Sequence, residues 1–153
     1  IDILATNAVE CRKNGPTLVL ITFDQDIQQI SGTVNDVSLS SGTVSALAIS
    51  GNQLTVTMSG ATDTALLTVG FPGISNATGQ AATGTLCFGV LSGDATGDKK
   101  VNVFDLQAVK SAVNQPVTAL NFRDDVTVDG GINVFDLLAA KNNLNKTITA
   151  SCP

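Results

Sequence analysis

The first 91 residues alternate short apolar runs with segments that favour turns. Runs such as "LTVTMSG" and "ALLTVGF" place Val, Leu, Thr or Met at alternating positions, and they are interrupted at "SSG", "SGN" and "FPG". A period of two in apolar residues is typical of half-buried β-strands. We therefore predict seven strands, near residues 9–12, 17–24, 34–39, 44–49, 53–59, 65–71 and 84–90.

The number and spacing of these strands predict how the segment folds. Short strands separated by frequent turns favour an immunoglobulin-like β-sandwich, and a segment of this length is long enough to enclose one hydrophobic core. We assign residues 1–91 to an all-β immunoglobulin-like module.

The pattern changes near residue 92 to acidic loops that are followed by helical periodicity. Two sets of apolar residues recur at helical spacing, namely Leu106, Val109 and Val113, and then Leu137, Ala140 and Leu144. Each set would form a narrow stripe on one face of a helix, and neither stripe could form a core alone. We expect the two helices to pack against each other in a second, all-α domain over residues 92–153.

The acidic loops repeat one another without a gap. The stretch "GDATGDKKVNVFDL" begins at Gly93, and "DDVTVDGGINVFDL" begins at Asp124, so equivalent residues lie 31 positions apart. Two acidic patterns in the same register, each followed by "NVFDL", indicate that one loop-and-helix motif is duplicated.

The spacing of the polar residues within each repeat indicates a metal loop. Oxygen-bearing residues fall at positions 1, 3, 5, 7, 9 and 12 of a twelve-residue loop, the spacing of an EF-hand that supplies the oxygen ligands Ca²⁺ requires. We predict one Ca²⁺ ion in each loop, and therefore two in the chain. The predicted ligands are Asp94, Thr96, Asp98, the Lys100 carbonyl, Asn102 and Asp105, and in the second loop Asp125, Thr127, Asp129, the Gly131 carbonyl, Asn133 and Asp136.

The same residues also permit an explanation without metal. Aspartates are common in solvated turns, and Asn102 and Asn133 could act as helix caps ahead of Asp105 and Asp136. The duplication favours the metal interpretation, because one such loop is a moderate signal and two in register are a strong one.

Composition excludes several function classes. The chain has no His, and its acidic residues are accounted for by the loops, so we expect no enzyme and no small-molecule substrate. A formal charge of −5 with only eight Lys and Arg argues against a nucleic-acid partner. No apolar run is long enough to span a bilayer. The start "IDILATNAVE" lacks the features of a signal peptide, so we expect a mature fragment of a larger protein.

The duplicated loops resemble those of the dockerin domain, a duplicated calcium loop and helix that binds cohesin modules in secreted bacterial assemblies. The resemblance covers roughly residues 92–147, and it includes a lysine in each helix and a connection "TALNFRDD" that is similar to the family's short helix between halves. Lys99 stands at loop position 6, where the family usually has Gly. The preceding segment resembles, less specifically, the immunoglobulin-like modules found before dockerins.

The resemblance implies an extracellular or cell-surface location, a cohesin-like partner and a cellulosome-like role in polysaccharide degradation. The partner would contact the apolar residues at positions 10 and 11 and the helix lysines: Val103, Phe104, Lys110, Val134, Phe135 and Lys141. The alternatives are internal packing for the Val and Phe residues and a solvated helix face for the lysines.

Two functions follow. The first is a noncatalytic calcium-dependent interaction module of a secreted protein, with the first 91 residues as spacer or secondary contact. The second is a purely structural calcium-stabilised segment that has no receptor. Burial of both Phe104 and Phe135 would favour the second, and exposure would favour the first.

Three cysteines are present, so at most one intrachain disulfide forms. Three pairings are possible, and the sequence does not decide among them. Pairing of Cys87 with Cys152 would bracket the calcium loops, and pairing of Cys11 with Cys87 would lie within the β module.

Overall fold

The structure is a computed structural model that describes residues 8–152. Residues 1–7 and 153, at the ends of the two predicted domains, lie outside the described residues. Residues 1–7 include most of the stretch "IDILATNAVE" on which the expectation of a mature fragment rests. Nine strands are described: β1 Val9–Glu10, β2 Leu18–Thr22, β3 Ile27–Gln29, β4 Ser38–Leu39, β5 Thr43–Ser50, β6 Gln53–Ser59, β7 Ala65–Gly70, β8 Ile74–Asn76 and β9 Thr85–Val90. The two α-helices are α1 Val103–Ala112 and α2 Val134–Asn142.

The described chain divides into two compact units. One contains residues 8–15, 62–66 and 88–152, and the other contains residues 16–61 and 67–87. The duplicated loops therefore belong to a unit that also includes β1 and the end of β9.

The unit formed by residues 16–61 and 67–87 is built from antiparallel strands. Strand β6 lies between β2 and β5, and its register places Leu54 opposite Ile21 and Val56 opposite Val19. These inward side chains are buried, whereas Leu20 on the opposite face of β2 is exposed. The alternation read from the sequence thus produces one buried face and one solvated face. Strand β3 pairs with β8, and β4 pairs with the end of β7.

The unit that holds the loops has two small cores. The first contains residues from both helices and both loops: Ala95, Val109, Ala112, Val126, Ile132 and Ala140, with Leu106 and Leu137 packed partly against it. The second surrounds β1, which runs parallel to β9, and contains Val9, Leu91, Val101 and Ile148. Helices α1 and α2 contact each other, as their apolar stripes predict.

The predicted fold class is wrong. The described chain is mostly β and has only two short α-helices of ten and nine residues, so the loop region is not an all-α pair. The loop that precedes each helix stays non-helical, because its first aspartate accepts backbone amides that a helix would use. The connection "TALNFRDD" contains only the 3-10 turn Phe122–Asp124 and no α-helix.

The β part fits the prediction partly. Strand β6 has the predicted bounds, and β2, β5, β7 and β9 lie within a residue or two of their predicted ranges. The range 34–39 instead holds a 3-10 turn, Val34–Asp36, followed by the two-residue β4. Strands β3 and β8 were not predicted, because three-residue strands are too short to show alternation.

Cys87 and Cys152 are disulfide-bonded, and Cys11 is a buried free thiol. The alternative pairing of Cys11 with Cys87 is therefore wrong. Burial raises the pKa of the Cys11 thiol to about 12, so this thiol is protonated at neutral pH. Within residues 8–152, no helix combines the length and apolar character needed to cross a bilayer.

Candidate metal loops and helix faces

The first carboxylate of the first loop organises the backbone around it. Asp94 is fully buried, and its Oδ1 accepts hydrogen bonds from the amides of Gly97 at 2.8 Å and Asp98 at 3.1 Å. Its Oδ2 accepts from the amide of Lys99 at 2.9 Å. A single side chain therefore curls the loop so that later residues return toward position 1.

The last carboxylate of this loop closes it onto helix α1. Asp105 is also fully buried, and its Oδ1 accepts from both the amide and the hydroxyl of Thr96, at 2.9 and 2.8 Å. Its Oδ2 accepts from the amide of Asn102 at 2.7 Å, while Asn102 Oδ1 accepts from the amide of Phe104 at 2.8 Å. These reciprocal bonds form a capping box at the start of the helix.

The second loop repeats most of this arrangement. Asp136 accepts from the amide and hydroxyl of Thr127 at 2.9 and 2.8 Å and from the amide of Asn133 at 2.8 Å. Asp125 accepts from the amides of Asp129 and Gly130, each at 3.1 Å. The sequence repeat is therefore a repeat of geometry.

Three carboxylates converge in each loop. One cluster contains Asp94, Asp98 and Asp105, the other contains Asp125, Asp129 and Asp136, and within each cluster one carboxylate oxygen per residue lies within 4.8 Å of the others. Two members of each cluster are buried and the middle one is exposed. These hard oxygen donors suit a hard divalent cation, which would compensate the clustered negative charge.

Electrostatics supports the same interpretation for the first loop. Burial, together with the nearby Asp105 carboxylate, raises the pKa of Asp94 to about 6, although hydrogen bonds from the backbone amides of Lys99, Gly97 and Asp98 oppose the rise. Beside the second loop, burial and the Asp136 carboxylate raise the pKa of Asp124, against the opposing effect of Arg123. Each loop therefore concentrates negative charge that a cation would stabilise.

The structure assigns the remaining predicted ligands different immediate partners. Asn102 and Asn133 act as helix N-caps, which is the role given to them by the interpretation without metal. The Gly131 carbonyl accepts from the side-chain Nδ2 of Asn133 at 3.1 Å. The hydroxyls of Thr96 and Thr127 hold the buried aspartates in place. Coordination of a metal by these residues and by the Lys100 carbonyl stays a prediction.

Each loop contains two residues with positive φ, and the loops differ in where glycine stands. Lys99 has φ of 68° and its equivalent Gly130 has 85°, whereas Gly97 has 78° and its equivalent Val128 has 61°. Lys99 thus has a positive φ at loop position 6, where the resembling family usually has Gly. The positive φ of Val128 was not predicted, because the EF-hand pattern calls for glycine at loop position 6 and not at position 4, where Val128 lies.

The two loop-and-helix repeats are joined by backbone hydrogen bonds. The amide of Asn145, after α2, donates to the carbonyl of Val101 in the first loop at 2.9 Å. The amide of Asn114, after α1, donates to the carbonyl of Ile132 in the second loop at 2.8 Å. Each loop is therefore held by the segment that follows the other helix, and the halves have a two-fold relation.

The predicted partner residues lie on the surface. Phe104 and Phe135 are 67% and 64% exposed, and Val103 and Val134 have similar exposure. Lys110 and Lys141 are exposed as well. Val103 and both lysines line a shallow groove of about 650 Å³ between α1 and α2 that also includes Leu106 and Leu137. The structure thus presents the repeated Val and Phe residues to solvent rather than burying them.

Sequence reasoning missed contacts that residues outside the repeat make with the loops. The Arg123 guanidinium donates to the carbonyls of Asp94, Ala95 and Val9 at 2.8, 2.9 and 3.0 Å. The amide of Lys13 donates to the Val126 carbonyl at 2.7 Å. An arginine within the connection between two acidic loops was the available signal, but the partners of this side chain are non-local.

Comparison with known proteins agrees with the duplicated loops. Residues 92–145 match the family model for the Dockerin type I domain. No curated protein matches the chain. Among solved structures, the chain is similar to a chain in the crystal structure of an N-terminal interface mutant of a type II Cohesin-X-Dockerin complex from Acetivibrio cellulolyticus, with 18% identity, a TM-score of 0.33 and coverage of 88% of this chain and 99% of that chain.

The family match supports one part of the resemblance and not the other. The immunoglobulin-like assignment of residues 1–91 is not confirmed. The family match spans both loops and both helices, and it supports a dockerin domain in residues 92–145.

Proposed function

We propose that residues 92–153 form a noncatalytic, calcium-dependent protein interaction module that docks a cohesin-like receptor. The observation that carries this proposal is the exposure of the same Val-Phe pair at the start of both helices, beside loops that match the dockerin family. Residues 1–91 would serve as a spacer or secondary contact, so we place the functional boundary between residues 91 and 92.

Calcium would supply the rigidity that such a surface needs. Each Val-Phe pair directly follows an Asn cap and precedes the buried Asp105 or Asp136. A cation held by the carboxylates of a loop would therefore fix the first turn of the helix that carries the pair. We propose one Ca²⁺ per loop, held by the twelve predicted ligands, and we expect calorimetric titration of the full chain to reveal two sites.

The duplicated surface gives the receptor two equivalent ways to bind. Because the halves have a two-fold relation, rotating the module by a half turn would present Val134, Phe135 and Lys141 where Val103, Phe104 and Lys110 had been. Large exposed apolar side chains can supply much of the energy of an interface, with about 2 kcal/mol or more lost when a hot spot is truncated. We propose that one half binds at a time.

A binding experiment with Phe variants tests this proposal. Immobilised recombinant cohesin modules are titrated with the full chain, with calcium and with a chelator. We expect Phe104→Ala or Phe135→Ala alone to weaken binding by less than about threefold, because the other half substitutes, and the double variant to abolish it. Leu120→Ala is a matched control, since Leu120 is 97% exposed but lies outside both faces.

The results separate the proposal from a purely structural role. Normal binding by a folded, calcium-loaded double variant would overturn the proposed surface. Complete loss in either single variant would show that only one half binds. If calcium stabilises the chain and none of the cohesin modules binds, the structural alternative is favoured.

We also propose an extracellular or cell-surface location. A disulfide at Cys87 and Cys152 supports an oxidising compartment. Calcium concentrations outside cells would keep loops of ordinary EF-hand affinity occupied. Reduction of the disulfide followed by thermal unfolding checks the first argument, and a marked loss of stability is expected.

A further inference from the structure

A short segment near the N-terminus, residues 9–13, connects the two metal loops. At one end, the Val9 carbonyl accepts from Arg123 Nη1 at 3.0 Å. At the other end, the amide of Lys13 donates to the Val126 carbonyl in the second loop at 2.7 Å. Between them, the Cys11 carbonyl accepts from the amide of Gly93 at 2.8 Å. The segment is therefore hydrogen-bonded directly to the second loop, and it bonds to Gly93 and Arg123, the residues next to the first loop and near the start of the second.

Arg123 makes the link to the first loop through a three-way fork. Besides Val9, its Nη2 donates to the Asp94 carbonyl at 2.8 Å and its Nε donates to the Ala95 carbonyl at 2.9 Å. A planar guanidinium fixes the relative positions of the carbonyls it bonds, because its donors have a rigid geometry. Asp94 is the first predicted ligand, so the fork holds the backbone from which that ligand projects.

The first loop is shaped to accommodate this side chain. A Cβ atom added at Gly97 would lie 3.0 Å from Arg123 Nη2, so glycine at this position leaves room for the guanidinium. The equivalent residue in the second loop is Val128, which is exposed. The repeat position equivalent to Arg123 is Ser92, whose side chain cannot form such a fork. The arginine contact is therefore specific to one half.

We propose that Arg123 is a positioning residue for the first metal loop, and that through Val9 it couples metal binding in that loop to the docking of residues 9–13. This inference rests on the proposed calcium sites and is independent of any receptor. In the second loop, the carbonyl of Val126, equivalent to that of Ala95, is held by the Lys13 backbone instead. Removing the Arg123 side chain should therefore affect the two loops unequally.

The direction of the effect distinguishes positioning from charge. A guanidinium close to a cation repels it, so if charge alone mattered, replacing Arg123 with a neutral residue would strengthen calcium binding. If the fork positions Asp94, the same replacement should weaken binding at the first loop. Loss of a partner that orients a metal ligand typically costs about 10- to 100-fold in affinity.

The experiment measures each loop separately in the full chain. Asp129→Ala leaves the first loop as the sole intact site and Asp98→Ala leaves the second, and both changes remove exposed carboxylates. Calcium alone is the probe, in calorimetric titrations with and without Arg123→Gln. We expect about 10-fold weaker binding at the first loop or more, and a change under about twofold at the second. Lys13→Gln is the matched control, because it removes one positive charge from the segment while keeping the backbone bond.

A second readout and a second variant keep the test decisive. In the calcium-loaded protein, Arg123→Gln should speed hydrogen exchange at the amides of Gly97 and Lys99, which bond Asp94, and not at Gly130. Arg123→Lys keeps the charge but not the fork, so it should weaken the first loop as well. Unchanged or tighter binding at the first loop, or equal weakening of both loops by Arg123→Lys, would overturn the proposal.

Discussion

The two metal loops share a hydrogen-bond framework but differ in the residues between the framework positions. In both, the first and last aspartates are buried, and the last aspartate accepts the same three hydrogen bonds at lengths that agree within 0.1 Å. The first aspartate of each loop accepts from the amides at loop positions 5 and 6. The intervening residues diverge: the first loop has Lys99 and Lys100, and the second has Gly130 and Gly131. The Asp, Thr and Asn positions therefore determine the loop geometry, and glycine at a given position does not.

Charge and strain favour different loops. Two lysines next to the first cluster oppose a cation, whereas Asp124 adds a carboxylate beside the second. Strain acts the other way, because a β-branched residue at positive φ, such as Val128, is less tolerable than Lys99. Both lysine side chains lie at or near the surface, but every charge in the loop acts directly on the bound cation. We therefore expect charge to outweigh strain and the second site to bind calcium more tightly.

Removal of the last aspartate is the largest change that tests this comparison. Asp105→Ala or Asp136→Ala should each eliminate one calcium site. The calcium affinity of that loop should fall by roughly 100-fold or more, because loss of a residue that only orients a ligand already costs about 10- to 100-fold. The site that remains in Asp105→Ala should be the tighter of the two. Calorimetric titration of both variants measures this ranking, and equal or reversed affinities would show that strain outweighs charge.

The stability of the same two variants without calcium, measured in the presence of a chelator, provides an internal control. Each substitution removes the acceptor of three hydrogen bonds, and the bond lengths in the two loops agree closely. A buried donor left without a partner costs about 1–3 kcal/mol. Thermal unfolding without calcium should therefore show similar destabilisation in both variants, so a large difference there would mean that the loops are not equivalent as scaffolds.

A smaller effect comes from exchanging the strained residues for glycine. Lys99→Gly relieves a positive φ and removes a positive charge, whereas Val128→Gly relieves strain alone. Relief of about 1–2 kcal/mol is partly offset by the flexibility of glycine, about 0.5–1 kcal/mol. We expect Lys99→Gly to tighten the first site several-fold at low ionic strength, because it removes charge and strain together, and Val128→Gly to tighten the second site by about twofold, from strain alone.

Salt separates the two contributions in this experiment. The charge effect of Lys99→Gly should shrink at high ionic strength, because the Debye length falls from about 10 Å at 0.1 M to about 3 Å at 1 M. The strain effect should persist, since it does not depend on ionic strength. If the advantage of Lys99→Gly is fully retained at high salt, charge is not the reason for the difference between loops.

The parts of the molecule that sequence could predict are those encoded by local patterns. Alternation identified β2, β5, β6, β7 and β9, and the Asp spacing identified both acidic clusters that the structure brings together. Local patterns failed for the fold class of residues 92–153, because a loop that binds its own amides through aspartates competes with helix formation. The predicted helix faces also ran too far: Val113 follows α1 and Leu144 follows α2.

Non-local contacts account for the rest. The Arg123 guanidinium reaches Val9, which is 114 residues earlier in the chain, and a repeat pattern contains no information about such a partner. The exposure of Phe104 and Phe135 could not be derived either, because packing within the loop region and partner binding require the same apolar residues. Only the positions of neighbouring elements decide between them.

A similarly small effect isolates a single carboxylate that the second loop has and the first lacks. Asp124 precedes the first ligand of the second loop, its equivalent in the first loop is Gly93, and the Asp136 carboxylate contributes to raising its pKa. Asp124→Asn preserves the shape of the side chain, so only its charge is lost. One charge several ångströms from a cation in a water-like medium contributes on the order of 0.5 kcal/mol, about twofold in affinity. We expect that loss at the second site at neutral pH and low salt, and no change at the first site when it is measured in Asp129→Ala.

Because Asp124 titrates at a raised pKa, the difference in calcium affinity between wild type and Asp124→Asn should narrow as the pH falls and the wild-type carboxylate becomes protonated. A difference that is constant with pH would mean that the hydrogen-bonding shape of the side chain, and not its charge, distinguishes the second loop at this position.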